Sequence, residues 1–170
     1  LTSDPRLGFD AKSAEAAAAM SEGSAGRAVR SDRQGLREEL SNVAALMSGS
    51  RGGGVRGIID EATRLAFRLG RVEQQRILDL MLLWLRDVLR VSEAGPDARE
   101  LLFSGQRRAL EAQAGTLQLN DIERLIRKVD GARRAIERYS NASIVFTSVL
   151  LDLAIVRKEA ATRNEAEYAV

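Results

Sequence analysis

From residue 77 to residue 89 the chain reads Ile-Leu-Asp-Leu-Met-Leu-Leu-Trp-Leu-Arg-Asp-Val-Leu. Wound as a helix, this stretch carries apolar side chains on nearly every face, the mark of a segment buried in protein or in membrane. The uninterrupted apolar run, 80–85, is far short of the roughly 20 residues that cross a bilayer, and Asp79, Arg86 and Asp87 close it off. The pattern therefore predicts a central helix over 75–91 of a helical domain, with no membrane span. Trp84, the only tryptophan, is its largest single contributor of buried surface.

The flanking segments carry helical periodicity with narrower stripes. Leu36, Leu40, Val43, Ala44 and Met47 fall on one face and predict a helix over 34–47. Ile58, Ile59, Ala62, Leu65, Ala66 and Leu69 predict another over 55–69, ended by Gly70. Gly95 and Pro96 mark a loop at 92–97, and Ser104 is placed to cap a helix that ends near Ala114 and Gly115. Ile122, Leu125, Ile126, Val129 and Ile136 form the next stripe. Asn120 suits its N-cap, with Glu123 at the third position as in a capping box. Ser140 and Asn141 break that helix. A last helix runs from 142 past 157, with Ile144, Val145, Val149, Leu151, Leu153 and Val156 crowding more than one face. That excess predicts burial on two sides, one against the core and one against a neighbouring subunit. At the other end of the chain, residues 9–20 are alanine-rich and strongly helix-forming. Gly23 suits a helix stop and Ser24 an N-cap. Residues beyond 158 are polar and expected to fray. No repeat of solenoid length emerges. The sum is an all-α fold, a helical bundle.

Composition narrows the chemistry. Length fits one domain, or one domain with a fragment of another. The chain has no cysteine and no histidine, which excludes disulfides, thiolate or imidazole metal sites and His-dependent acid–base catalysis. Of 26 basic residues only Lys12, Lys128 and Lys158 are lysine, and acids are interleaved throughout, giving a formal net charge of +2. Such interleaving predicts a salt-bridged helix surface rather than a phosphate-binding field. Adjacent carboxylates such as Glu38 and Glu39 point apart on a helix and imply no convergent catalytic pair. Gly52, Gly54 and Gly57 spell the G-x-G-x-x-G string of dinucleotide sites. No strand precedes them and no βαβ alternation surrounds them, so 49–54 is expected to be a plain glycine-rich linker. No P-loop motif is present. No catalytic residue, metal ligand or cofactor is expected.

Three landmarks stand in one order. The first is the alanine run from Ala16 leading into Gly-Ser-Ala-Gly-Arg-Ala at 23–28; the second is Leu-Met-Leu-Leu-Trp-Leu-Arg-Asp-Val-Leu at 80–89; the third is Ala-Arg-Arg-Ala-Ile-Glu-Arg-Tyr-Ser-Asn at 132–141, followed by Leu-Leu-Asp-Leu-Ala at 150–154. Together, over about residues 10–157, they resemble the C-terminal half of delta-prime subunits of bacterial DNA polymerase III clamp loaders. The first looks like the turn that opens the sensor 2 helix in an AAA+ lid. The resemblance implies that residues 1–34 are the end of a lid domain and 35–170 a helical collar, the oligomerisation domain. It implies a non-catalytic, cytoplasmic assembly module that holds loader subunits together for DNA replication. The partners would be gamma/tau and delta subunits, with the sliding clamp and primed DNA reached only through the complex. Arg27 matches the sensor 2 position, and is expected to be vestigial because no P-loop accompanies it. The family commonly has Asn-Val-Asn-Pro where this chain has Tyr139, Ser140, Asn141 and Ala142, so only Asn141 carries over. Val145, Val149 and Val156 on the last helix are the expected subunit contacts. The rival readings are a helical nucleic-acid-binding domain, using Arg107, Arg108, Arg133, Arg134 and Arg138, or the collar of a gamma/tau or delta subunit.

Overall fold

A computed structural model describes residues 33–49 and 54–168. Among the described residues there is no strand, and the fold is all-helical. The elements are α1 (Arg33–Ser48), α2 (Gly54–Arg68), α3 (Arg71–Ala94), α4 (Arg107–Ala114), α5 (Leu119–Glu137) and α6 (Ala142–Tyr168), with short 3₁₀ turns at Gly95–Asp97 and Ser104–Gln106. No described helix is long and apolar enough to cross a membrane. The chain divides into two compact units, residues 1–42 and 43–170. Of the first, the described part is the N-terminal portion of α1. The second contains everything discussed below. The lid-like turn at 23–28, Arg27 within it, and Gly52 lie outside the described residues.

In the larger unit α2 packs on α6, α6 on α5, α5 on α3, and α3 on α4. The core runs through the inner faces of this series. α3 contributes Leu78, Leu80, Met81, Trp84, Leu85 and Val88, each at most 1% exposed. Trp84 is fully buried and meets Phe103 edge-on, with ring centroids 5.0 Å apart at 76°. Such a pair contributes about 0.5–1.5 kcal/mol beyond its buried area. The central helix is longer than its apolar run predicts, because its ends are fixed by polar ties rather than by hydrophobicity. The buried Gln74 amide donates to the carbonyls of Ala66 and Leu69 at 2.9 and 3.0 Å. This satisfies orphan acceptors at the end of α2 and sets the turn into α3. Two turns before the other end Asp87, fully buried, accepts the Phe103 backbone N–H at 2.9 Å and pairs with Arg86, and the helix closes at Gly95, whose N–H donates to the Val91 carbonyl. The loop that follows α3 is stitched down by arginines: Arg90 donates to the Glu100 carbonyl at 2.8 Å, and Arg107 to those of Gly95 and Ala98 at 3.2 Å.

A second polar node joins the C-terminus of α1 to α4 and α6. The Met47 carbonyl accepts from Gln113 Nε2 and, at 3.2 Å, from Arg157 Nη1. Gln113 Oε1 in turn accepts the Trp84 indole N–H at 2.7 Å. Arg157 also donates to the Leu153 carbonyl at 3.2 Å, and burial pushes its guanidinium below its ordinary pKa. A cation at a helix C-terminus complements the carbonyl ends there. Gly49 follows with φ +73°, and a Cβ at that position would collide with the Arg157 guanidinium.

Two caps differ from the expectation drawn from sequence. The N-cap of α5 is Gln118 rather than Asn120, and the third position is Asp121 rather than Glu123. The Gln118 N–H donates to Asp121 Oδ2 at 2.9 Å, and Arg163 of α6 holds the same carboxylate from behind. That cross-helix ion pair selects the earlier start, a tertiary constraint that no local pattern encodes. Ser104 caps nothing: it opens a 3₁₀ turn, and α4 begins three residues later. Asn141 does act as a cap. Its side-chain oxygen accepts from the N–H groups of Ser143 at 3.0 Å and Ile144 at 3.4 Å, at the head of α6.

Candidate subunit interface

α2 lies at the end of the packing series. Its inner face buries Ala62 and Leu65. Phe67 stands two residues after Leu65, about 200° further round the helix, and so projects away from the core. It is 80% exposed. Val55, at 64%, and Ile59, at 48%, are also exposed nearer the N-terminus, and with Thr63 they complete an i, i+4, i+8, i+12 ridge that winds about 120° round the helix to Phe67. Val72, in the first turn of α3, is 71% exposed just beyond. A single exposed apolar residue is ordinary; a row of them along one helix is the feature that marks interaction sites. Sequence reasoning placed Ile59 on the inner stripe and left Phe67 off it. The available signal was the mismatch itself: a phenylalanine opposite the buried face of an amphipathic helix.

The antiparallel course of α2 along α6 follows from its two ends. Gly49, before α2, lies beside Arg157, while Arg71, after it, donates to the Ile136 carbonyl and stacks over the Tyr139 ring, 4.0 Å from the centroid. Tyr139 is 80% exposed with φ +61°, in the position after α5 where glycine is the usual choice. The N–H of Tyr139 reaches the Ile136 carbonyl and that of Ser140 the Ala135 carbonyl, which closes the helix end as a Schellman turn.

The expected contacts on the last helix fare unequally. Val149 is 1% exposed and Val156 fully buried. Both belong to the core of this chain, a correction to their assignment as subunit contacts. The cause is placement: α6 packs on α2 and on α5, so the apolar excess of its sequence is largely consumed within the chain. Val145 is half-buried. The large apolar α6 side chains exposed among the described residues are Ile144 at 69% and Ile155 at 44%.

The arginines named for nucleic-acid contact are mostly engaged with acids. Arg134 pairs with Asp130 at 2.8 Å, Arg133 with Asp79 at 3.7 Å and Asp130 at 3.8 Å, and Arg107 with Glu111 at 2.8 Å. Arg108 and Arg138 are exposed. The pairs fit the salt-bridged surface that the interleaved charges predict. Among the described residues no cluster of three or more acidic side chains could hold a metal ion. No family model, curated protein or solved structure matches the chain.

Proposed function

We propose that this chain is a non-catalytic assembly module, the collar of a delta-prime-like subunit of a bacterial DNA polymerase III clamp loader, preceded in residues 1–34 by the end of an AAA+ lid. It would act in the cytoplasm, joining gamma/tau and delta subunits, and would reach the sliding clamp and primed DNA only through the complex. The observation that carries the reading is the exposed apolar ridge Val55, Ile59 and Phe67 on α2, the terminal helix of the packing series. A neighbouring helix laid on that row would remove its apolar surface from water at roughly 25 cal/mol per Å². Two further features support a rigid assembly role. The arginines are largely held in ion pairs and helix-end contacts, and the bundle is tied by buried polar nodes at Gln74, Asp87 and Gln113. The loader is suggested by the order of the three sequence landmarks, which resembles that of delta-prime subunits. Mixing the chain with purified gamma/tau and delta subunits tests this. Co-elution as one complex on size exclusion is expected, and separate elution at concentrations where authentic loader subunits assemble would refute it.

A further inference from the structure

The outward side of α6 carries a second, independent pattern. Ile144, Ser148, Leu151 and Ile155 are spaced four, three and four residues apart, the spacing of a coiled-coil seam. Ile144 and Ile155 are exposed, while Ser148 and Leu151 are half-buried. The fold does not use this seam for its core, which takes Phe146, Val149, Leu153, Val156 and Ala160 from the opposite side of the same helix.

We infer that this seam pairs with the same seam of a second copy of the chain, antiparallel, about a two-fold axis between residues 149 and 150. The sequence of sizes is self-complementary in that register. Ile144 meets the second copy's Ile155, and the small Ser148 meets the large Leu151, so each layer is filled once from each side. In antiparallel coiled coils the two seam positions of the repeat face each other in this way. Charge selects the direction. A parallel pairing in register would set Lys158, the next seam position, against its own copy. The antiparallel register instead carries Lys158 to Asn141 and the 137–141 turn of the second copy, where Glu137 is exposed. Neither Lys158 nor Glu137 forms an ion pair with another described residue. A contact that uses the same patch on both copies closes as a two-fold dimer. This pairing does not depend on the clamp-loader reading.

The chain has no cysteine, so introduced thiols are the only ones present. Residues 144 and 155 lie eleven apart, about 16 Å along a helix. In the antiparallel dimer a cysteine at 144 therefore sits about 16 Å from its own counterpart, beyond the reach of a disulfide, but opposite position 155 of the other copy. The test uses Ile144→Cys and Ile155→Cys chains, oxidised separately and as an equimolar mixture, and read on a non-reducing gel. Both sites are exposed, and unchanged melting of each variant confirms an intact fold. A species at about twice 18.6 kDa is expected in the mixture, with each variant alone remaining monomeric on the gel. Cross-linking of the single variants as readily as the mixture, or none in the mixture, overturns the inference. Sedimentation of the unmodified chain should likewise show mass rising from 18.6 kDa toward twice that value with concentration, and Ile155→Lys should weaken association at least tenfold. A mass that stays at 18.6 kDa to millimolar concentration overturns it as well.

Discussion

Gln113→Leu is the substitution whose cost can be worked out most fully. Gln113 is 8% exposed, and its two side-chain atoms serve two elements: Oε1 accepts from Trp84 Nε1 at 2.7 Å, and Nε2 donates to the Met47 carbonyl. Leucine has similar bulk and leaves no large cavity. The loss is therefore polar. The indole N–H, on a fully buried tryptophan, is left without an acceptor, at about 1–3 kcal/mol. The Met47 carbonyl keeps its bond from Arg157 at 3.2 Å, so its share is that of one ordinary hydrogen bond, about 0.5–1.5 kcal/mol. The expected total is about 2–4 kcal/mol. Trp84→Phe should be costly for the mirror-image reason, since it strands the amide oxygen. The double variant removes both halves of the indole–amide bond, so the two costs should fall short of additivity by about 0.5–3 kcal/mol. Urea unfolding of all four proteins by far-UV circular dichroism measures this cycle. Additivity within about 0.5 kcal/mol would mean that the two side chains do not interact.

Four other outcomes follow from the fold. Gly49→Ala should destabilise by about 1–2 kcal/mol through its left-handed backbone, with the Arg157 guanidinium shifting aside for the new Cβ; thermal melting reads the difference. Asn141→Ala removes the acceptor at the head of α6 and should cost about 0.5–2 kcal/mol in denaturant unfolding. At the end of α5, Tyr139→Gly should be about 1 kcal/mol more stable than Tyr139→Ala, because both lose the ring and only alanine keeps the strained φ of +61°. Val149→Glu, which sets a carboxylate at a core position 1% exposed, should abolish cooperative folding; an intact melt would place that residue at the surface after all.

The helices were legible from periodicity because burial in a bundle imposes it. The stripes on α1, α3 and α5 name many of the residues that the core uses, and Trp84 stands at its centre as the pattern requires. What the sequence conceals is anything decided by two elements together. The start of α5 depends on Arg163, forty-two residues away, and the end of α1 on Gln113 and Arg157. Val149 and Val156 read as surface in the sequence for the same reason, though both are buried. Apolar residues on several faces of α6 imply two partners, and periodicity cannot tell that both are helices of the same chain. Conversely, the exposed row on α2 is sparse in sequence, and only its Phe67 end lies opposite the face that buries Ala62 and Leu65.

The central claim is that the outer row of α2 holds a neighbouring subunit. The direct measurement is size-exclusion reconstitution with gamma/tau and delta subunits, comparing the unmodified chain with an Ile59→Glu, Phe67→Glu double variant. Both residues are exposed, at 48% and 80%, so the variant should melt with the parent, within the range of about ±0.5 kcal/mol for surface changes. The account predicts a folded variant that elutes apart from the partners the parent binds. Full assembly by that folded variant would contradict it.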